Sequence, residues 1–448
     1  MKRIIIGGTN SGCGKTTVTC AVLQALVNRK MQVASFKCGP DYIDPMFHKK
    51  ILGTSAFNLD SFFCDDDTLK YLLYENSRAA DISVIEGVMG FYDGANGRGS
   101  AYSVSQVTET PAVIVIDCKG MSDSIGAVMK GFLEYKKPNN IVGFIFDRLS
   151  EKLADKAKYL CHELGTECFG FIPQTDMVFE SRHLGLVTAD EISDIKTKLD
   201  QLGKLAEKTL KLDRLIKFAE RSFPNYTPPP LPKAKYKTVI AVSKDSAFCF
   251  IYADNISLLQ KLGCEIEYFS PLYDEAVPEN ADGIILCGGY PELYAGKLSE
   301  NKSMLESIRQ RIISGIPAIA ECGGFMYLHK TMEDTDGNEH RLVGAIDGKV
   351  YKTPKLRRFG YVKMTAERDN ILCGKGASFH AHEFHYWDST SCGEAFTAEK
   401  ADGRSWKCVH ANENLYAGFP HLYFYSDIDT AANFVQKCAE YKHSKEKN

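Results

Sequence analysis

A glycine-rich segment near the start of the chain has the composition of a phosphate-binding loop. Residues 7–17 read GGTNSGCGKTT, follow a short β-branched run and precede a stretch of helical character. In this context glycines let backbone N–H groups turn toward phosphate oxygens, and the start of the helix favours negative charge. Lys15 is placed to reach the β- and γ-phosphates, and Thr16 offers a hydroxyl to Mg²⁺. The alternative is a glycine-rich turn with a surface lysine, since five residues separate Gly8 from Gly14, where the common pattern has four. We predict nucleotide binding through Gly12, Gly14, Lys15, Thr16 and Thr17.

Carboxylates that could hold Mg²⁺ near the phosphates follow two later predicted strands. Asp41 and Asp44 lie in FKCGPDYIDPMFH (36–48), and Glu86 and Asp93 lie in VIEGVMGFYDG (84–94). Ligands of open α/β sheets bind at such strand ends, and Mg²⁺ prefers carboxylate oxygens. Asp near Pro and Gly is also a common turn former. That alternative is weaker for Glu86, which ends an apolar strand where an unpaired charge is costly.

A second centre of chemistry is the cysteine in AIAECGGFMYL (318–328). An apolar strand leads into Cys322, and glycines follow it, as at a sharp strand-to-helix turn that exposes a nucleophile. We expect the helix terminus to lower the pKa of the thiol. The backbone N–H of Gly323 could hold an oxyanion, with Gly289 of LCGGYPE (286–292) as second donor. A buried cysteine before a turn is the alternative.

A nucleophilic thiol needs a base, and the chain offers histidines in two segments. His421 lies in LYAGFPHLYFYS (415–426), after a Gly-Phe-Pro turn. His380, His382 and His385 lie in SFHAHEFHYW (378–387). Their spacing on an extended segment does not match common zinc patterns, so contacts at a sheet end or with a substrate are favoured over a metal site.

The bulk composition is that of a globular protein. Of 448 residues, 44% are hydrophobic and 25% charged, which allows full cores. A net charge of −3 gives no basic field for nucleic acid or an anionic membrane, and no apolar stretch is long enough to span a bilayer. The start, MKRIIIGGTN, is too short and glycine-rich for a signal peptide, so we expect a cytoplasmic protein. The 15 cysteines include no Cys-x-x-Cys pair, so neither a zinc site nor a redox dithiol is indicated.

The pattern of elements predicts two α/β domains. Apolar runs at 3–9, 33–37, 82–87, 112–118 and 141–146 alternate with helical stretches, which favours a doubly wound parallel sheet. Residues 190–222 are rich in charged side chains, and their pattern has the period of a helix, which predicts a helical segment. The segment 224–237 has five prolines within residues 224–232 and is predicted to be a linker. Alternation restarts with strands at 238–243, 265–270, 282–289 and 317–322. We therefore predict domains at 1–223 and 238–448.

At these landmarks the chain resembles the cobyrinic acid a,c-diamide synthases. The matching segments, in chain order, are GTNSGCGKTT, FKCGPDYIDPMFH, FNLDSFF, VIEGVMGFYDG, SRHLGLV, CGGYPELYA, AECGGFMYL, HEFHYW and GFPHLYFYS. The resemblance covers nearly the whole chain. It implies an N-terminal ATP-dependent domain like that of dethiobiotin synthetases and a C-terminal domain like the class I glutamine amidotransferases. It also implies a cytoplasmic carbon–nitrogen ligase that takes corrinoid, ATP and glutamine as substrates, needs Mg²⁺, and acts in cobalamin biosynthesis. The sequence allows a homodimer.

The resemblance also implies residue roles. Cys322 falls on the nucleophile of the family and His421 on the histidine that activates it. Members often have a second His where this chain has Tyr423, and Asn where it has Asp147, beside the expected nucleotide base. Many class I glutaminases carry His-x-Glu, so the third member of the Cys–His constellation is left unassigned. The expected synthetase site comprises Asp41, Tyr42, Asp44, Glu86 and Asp93, with Thr16, Asp44 and Glu86 as metal ligands.

The expected reaction is amidation of the a and c acetate carboxylates of cobyrinic acid by ammonia from glutamine. One alternative is the same reaction on hydrogenobyrinic acid or nickel sirohydrochlorin. An alternative of another class is a phosphate-loop switch ATPase with a non-catalytic second domain, and Cys322 and His421 argue against it.

Overall fold

The structure, a computed structural model, describes residues 1–95, 97–175, 189–233 and 237–447. The chain divides into two compact units, Met1–Pro229 and Pro230–Asn448. The motif SRHLGLV (181–187) lies outside the described residues. No helix within the described ranges is both long and apolar enough to cross a membrane.

The first unit is built on a parallel sheet covered by helices. Its strands are β1 Arg3–Gly8, β2 Val33–Cys38, β3 Ser55–Leu59, β4 Ile82–Glu86, β5 Ala112–Asp117, β6 Ile141–Asp147 and β7 Glu167–Ile172. Its helices are α1 Lys15–Asn28, α2 Ile43–Phe47, α3 Asp66–Ser77, α4 Ala101–Val107, α5 Ser124–Glu134, α6 Ala154–Glu163, α7 Ala189–Thr209 and α8 Leu212–Ala219. The sheet order is β3-β2-β4-β1-β5-β6-β7, and each neighbouring pair is parallel.

Burial explains why the strands of this sheet are apolar throughout. Every residue of β1 and β2 is buried, because helices cover both faces of a parallel sheet. On one face β1 packs against α1, with α7 and α8 in the same core. The strand order reverses beside β1, so the carboxyl ends of β1, β2 and β4 form the crevice where such sheets bind ligands.

The first sheet has two strands that the sequence pattern did not predict. SAFNL and ECFGFI become β3 and β7, the edge strands of the sheet. The helix predicted over 190–222 is divided into α7 and α8, because Leu210 pairs with Gly170 of β7 and the N–H of Lys211 bonds to Phe169 O.

The second unit contains a mostly parallel sheet and a larger, mainly antiparallel one. Its strands are β8 Thr238–Ser243, β9 Phe248–Phe250, β10 Cys264–Phe269, β11 Gly283–Leu286, β12 Gly288–Gly289, β13 Ala318–Glu321, β14 His329–Glu333, β15 Glu339–Arg341, β16 Ile346–Ala366, β17 Ser378–Ser389, β18 Phe396–Glu399, β19 Ser405–Cys408, β20 His410–Ala411, β21 Leu415–Gly418 and β22 His421–Leu422. Its helices are α9 Ala253–Lys261, α10 Ala295–Glu300, α11 Lys302–Ile313, α12 Gly323–Tyr327 and α13 Ile428–Lys447. The sheets have the orders β10-β8-β11-β13-β21-β20 and β15-β14-β16-β17-β22, and β18 and β19 extend the second.

Two predicted elements of the second unit differ in the structure. The strand predicted over 282–289 is interrupted, because Gly288–Gly289 leaves the main sheet and pairs with β9. The helix predicted after Cys322 ends at Tyr327, and His329–Glu333 forms β14. The first difference places the backbone of Gly289 against Gly323, the residue after Cys322.

Candidate active sites

The phosphate loop joins β1 to α1 through a backbone that requires glycine. Gly14 has a φ of 88°, in the left-handed region that glycine adopts without strain. A Cβ on this residue would lie 2.2 Å from Asp147 Oδ2, which is inside any van der Waals contact. The carboxylate of Asp147, at the end of β6, therefore lies directly against the loop.

Lys15 and Thr16 begin α1 at the end of this loop. Lys15 Nζ donates a 2.8 Å hydrogen bond to Asn10 O, and burial lowers the pKa of this lysine. A phosphate oxygen in the loop would offer Nζ a charged and therefore stronger acceptor. Thr17, in the same first turn of α1, is buried. Thr16 Oγ1 points the other way and donates a 2.8 Å bond to Glu86 Oε1.

Glu86 belongs to a buried charge cluster at the ends of β2 and β4. Lys37 and Glu86 are partners in the register of the two strands, and Lys37 Nζ lies 2.9 Å from Glu86 Oε1. Nζ also lies 2.5 Å from Asp44 Oδ2, on α2. His48 Nε2 approaches Glu86 Oε2 at 3.5 Å. The cluster thus joins two carboxylates, one lysine and the first turn of α1.

Two members of the cluster, Lys37 and Glu86, keep their charges although they are buried. Burial acts to lower the pKa of Lys37, but Asp44 and Glu86 outweigh it and hold that pKa well above its usual value. Burial acts to raise the pKa of Glu86, but Lys37 and His48 hold it below its ordinary value. For Asp44 burial and the nearby Glu86 charge prevail, and its pKa rises to about 7. Lys37 therefore keeps Glu86 ionised, whereas Asp44 takes up a proton near neutral pH.

The oxygen atoms of this cluster fit Mg²⁺. Asp44 Oδ1 is buried and has no hydrogen-bond partner in the described part of the chain. Together with Thr16 Oγ1 and Glu86 it gives a set of hard oxygen donors beside the phosphate loop. Among the described residues no group of three or more His, Cys, Asp or Glu side chains could hold a metal. At nucleotide sites Mg²⁺ is typically bound by one or two carboxylates, and phosphates and water complete its coordination.

The remaining predicted residues of the first unit lie around the cluster. Asp41 Oδ1 accepts the N–H groups of Ile43 at 2.8 Å and of Asp44 at 3.3 Å, so it fixes the turn that carries Asp44. Tyr42 is buried beside it. Asp93 is exposed, and its Oδ2 accepts the N–H of Gly90 in a loop tied to the phosphate loop. The turn chemistry considered as an alternative therefore operates at both Asp41 and Asp93.

In the second unit Cys322 occupies a strained turn between β13 and α12. Its φ is 46° and its ψ is −101°, a combination that non-glycine residues rarely adopt. Its N–H donates a 2.8 Å bond to Gly418 O, in line with the pairing of Glu321 and Gly418 across β13 and β21. Such strain, about 1–3 kcal/mol, persists only where the surrounding structure imposes it.

The loop after β11 contacts both the cysteine turn and His421. A Cβ on Gly323 would lie 3.0 Å from Gly289 N, so the two predicted oxyanion donors are close together. A Cβ on Gly288 would lie 2.6 Å from His421 Cε1, so only glycine leaves room for the imidazole. The loop therefore lies against both the residue after Cys322 and the imidazole of His421.

Glu321 reaches His421 from the residue before the nucleophile. Glu321 Oε2 lies 3.7 Å from His421 Nδ1, and Glu321 Oε1 accepts the N–H of Leu422 at 3.3 Å. Both side chains are buried. In the register of β17 and β22, His382 lies opposite His421, and burial together with the charge of His421 lowers the pKa of His382 to about 3.

The expectation of a low thiol pKa at Cys322 is wrong for this structure. Burial raises the pKa of Cys322 well above its ordinary value, and the nearby Glu292 carboxylate adds to the effect. Burial also raises the pKa of Glu292 itself, to about 7. The backbone N–H of Gly323, at the start of the five-residue α12 helix, acts to lower the thiol pKa but does not outweigh burial. A thiolate must therefore form by proton transfer to a base.

The histidines of β17 have separate contacts. The N–H of His380 bonds to Ser426 Oγ, His382 lies opposite His421, and His385 Nε2 lies 3.1 Å from Glu383 Oε2. His385 also stacks on Phe419 with ring centroids 3.9 Å apart.

Sequence reasoning missed several residues of the two sites. Lys37 and Glu321 are charged residues inside or at the end of apolar strands, the same signal that identified Glu86. His48 and Gly288 gave no such signal, because their roles depend on neighbours distant in sequence.

Comparison with known proteins identifies both units. Residues 4–187 match the family model of the CobQ/CobB/MinD/ParA nucleotide binding domain, and residues 239–428 match that of the CobB/CobQ-like glutamine amidotransferase domain. The predicted fold class, a phosphate-loop parallel sheet followed by an amidotransferase-like α/β domain, is confirmed.

Relatives of known name align over nearly the whole chain. The cobyrinate a,c-diamide synthase of Caldanaerobacter subterraneus subsp. tengcongensis is 35% identical over 98% of this chain and 98% of its own. That of Priestia megaterium is 35% identical over 98% of this chain and 97% of its own. That of Thermoplasma volcanium is 37% identical over 99% of both chains. The chain belongs to the cobyrinate a,c-diamide synthase family.

Proposed function

We propose that this protein uses ATP and glutamine to convert the a and c acetate carboxylates of cobyrinic acid into carboxamides. The observation that carries the proposal is the site around Cys322, where a strained cysteine, a buried histidine and a glycine loop meet. The named relatives support it, because they align over both units.

The first unit supplies the activated carboxylate. A substrate carboxylate oxygen attacks the γ-phosphorus of ATP, ADP leaves, and an acyl phosphate forms. Lys15 holds phosphate oxygens, and Thr16, Asp44 and Glu86 would hold Mg²⁺, which when bound neutralises phosphate charge. Lys37 keeps Glu86 ionised. Asp41, Tyr42 and Asp93 are proposed contacts of the corrinoid substrate.

The second unit supplies ammonia. As the sulfur of Cys322 attacks the side-chain amide carbon of glutamine, its proton passes to His421, because burial disfavours a free thiolate. The N–H groups of Gly289 and Gly323 are proposed to hold the oxyanion. The imidazolium returns a proton to the leaving nitrogen, ammonia departs, and water hydrolyses the thioester to glutamate. Ammonia then attacks the acyl carbon, phosphate leaves, and the nitrogen loses a proton to give the amide.

The proposal is tested by counting amides on the product. The protein is incubated with ATP, Mg²⁺, glutamine labelled with heavy nitrogen in its amide, and a panel of tetrapyrrole carboxylates, followed by mass spectrometry. We expect two labelled amides on cobyrinic acid. Two amides on hydrogenobyrinic acid or nickel sirohydrochlorin alone would change the assigned substrate.

Two variants separate the two chemistries. Cys322→Ser should lose amidation with glutamine and keep amidation with ammonium chloride. Lys15→Ala should lose amidation with both nitrogen sources and keep basal release of glutamate. If Cys322→Ser still transfers label from glutamine, the amidotransferase assignment is wrong.

A further inference from the structure

We propose that Glu321 is the positioning residue for His421 and completes a Cys322–His421–Glu321 triad in which the acid directly precedes the nucleophile. The proposal rests on the glutaminase activity proposed above and adds the acid that the sequence left unassigned. It concerns a residue that acts through His421 and does not itself touch glutamine.

The first observation is the reach of one carboxylate to both residues of β22. Oε1 of Glu321 accepts the Leu422 N–H at 3.3 Å, and Oε2 lies 3.7 Å from His421 Nδ1. The 3.7 Å separation is within ion-pair distance and longer than a hydrogen bond. Catalytic contacts of this kind often tighten only when substrate binds and charge develops. The bond to Leu422 already fixes the carboxylate in position for that step.

The second observation concerns the position two residues after the histidine, where many class I glutaminases carry glutamate. In this chain that position holds no acid. Two residues after His421 the chain has Tyr423, and its hydroxyl donates a 3.0 Å bond to Asp254 Oδ2 on α9. Asp254 thus accepts a hydrogen bond from the hydroxyl of Tyr423. The acid that approaches His421 comes from β13.

The other titratable groups around His421 do not supply the missing negative charge. His382 faces His421 from β17, and burial first, then the charges of His421 and Lys400, lower its pKa to about 3, so it is neutral near pH 7. Cys322 lies on the turn after β13, and burial raises its pKa, so its thiol is also neutral before attack. Among the described residues, Glu321 provides the carboxylate that lies within 4 Å of a ring nitrogen of His421.

This geometry gives each imidazole nitrogen a role. A carboxylate facing Nδ1 favours the tautomer with the proton on Nδ1, which leaves Nε2 as the base. When Nε2 takes the thiol proton, the imidazolium gains a counter-charge at Nδ1. No proton needs to move to Glu321, because it acts by orientation and charge.

The decisive variant is Glu321→Gln, which keeps the shape and the Leu422 bond but removes the charge. We expect kcat for glutamine hydrolysis to fall about 10²-fold, the typical contribution of an aligned general base, with KM changing less than about 3-fold. Amidation with ammonium chloride should be unchanged. Glu321→Asp keeps the charge on a shorter side chain and should recover part of the lost kcat.

Asp254→Asn is the matched control. It neutralises a second buried acid, which contacts the same segment through Tyr423, and it should lower the unfolding midpoint without a selective loss of kcat. The proposal is overturned if Glu321→Gln keeps the wild-type kcat, changes KM alone, or loses amidation with glutamine and with ammonium chloride equally. If wild-type protein releases no glutamate from glutamine, the proposed function fails instead.

Discussion

Lys37 and Glu86 face each other across neighbouring strands of a parallel sheet, and Lys37 Nζ lies 2.9 Å from Glu86 Oε1. The same ammonium lies 2.5 Å from Asp44 Oδ2. One buried cation thus holds two carboxylates next to a phosphate loop, and Glu86 in turn accepts a hydrogen bond from the Thr16 hydroxyl. The arrangement places carboxylate groups where a divalent cation would bind beside the phosphates of a nucleotide.

Lys37→Met should destabilise the protein and abolish amidation. The substitution leaves Asp44 and Glu86 buried without their cation, and breaking a buried ion pair costs about 3–5 kcal/mol. Urea unfolding followed by circular dichroism measures the loss of stability, and amidation with ammonium chloride measures the loss of synthetase activity. Lys158→Met removes an exposed lysine that pairs with Asp155, and it should change neither stability nor amidation. Equal stability of Lys37→Met and wild type would show that the cluster is not held by Lys37.

Gly288→Ala should disable glutamine hydrolysis while leaving the synthetase intact. The added methyl group would lie 2.6 Å from His421 Cε1, so the imidazole must move. A displacement of about 1 Å in a catalytic group can cost about 10²-fold in rate. We expect a loss of this size in glutamate release and normal amidation with ammonium chloride. Gly296→Ala on α10, where the nearest atom is 3.6 Å away, is the control and should retain both activities.

The sequence allowed much of the first site to be predicted, because its signals are local. The glycine spacing before Lys15 and a charge at the end of an apolar strand, Glu86, are visible in short segments. Lys37 carried the same signal as Glu86 within VASFKC, but a lysine is more often assigned to the surface. The edge strand β3 was missed because SAFNL is short and mixed in polarity, so its pairing with β2 decides its conformation.

The second site was predictable in its residue types and not in its electrostatics. The turn around Cys322 follows from glycines after an apolar strand, and the structure places it there. The direction of the thiol pKa does not follow from that turn, because it depends on how completely other elements exclude water. The approach of Glu321 to His421 depends on β13 and β22, which are about a hundred residues apart.

Asp147→Asn should make stability less dependent on pH. Burial raises the pKa of Asp147 from 3.8 to about 6, so the folded protein holds this proton more tightly than the unfolded chain does. This group therefore lowers the free energy of unfolding as pH rises from about 4 to about 6, and the cost is fully present above that range. The variant should be more stable than wild type at pH 8, by up to about 3 kcal/mol at 1.36 kcal/mol per pKa unit, and similar to it at pH 4.

Urea unfolding at a series of pH values in the absence of nucleotide measures this effect. Asp123→Asn changes an aspartate whose side chain is 83% exposed and should give a curve parallel to that of wild type. A constant difference between Asp147→Asn and wild type from pH 4 to pH 8 would contradict the assignment.

At position 322 glycine should give a more stable protein than alanine, which reverses the usual order of stability. Its φ of 46° with ψ of −101° strains any residue with a Cβ, by about 1–3 kcal/mol, while glycine normally costs about 0.5–1 kcal/mol relative to alanine. We therefore expect Cys322→Gly to be about 1 kcal/mol more stable than Cys322→Ala. The two tryptophans, Trp387 and Trp406, both lie in the second unit, so their fluorescence follows unfolding of the unit that carries the change.

Cys438 provides the matched pair of variants. It is a fully buried cysteine within α13, where alanine should exceed glycine in stability by about 1 kcal/mol. Opposite orders at the two positions would show that the backbone at Cys322 is strained by the surrounding sheet and loop. If alanine is the more stable residue at both positions, the turn is relaxed, and the strained presentation of the nucleophile must be abandoned.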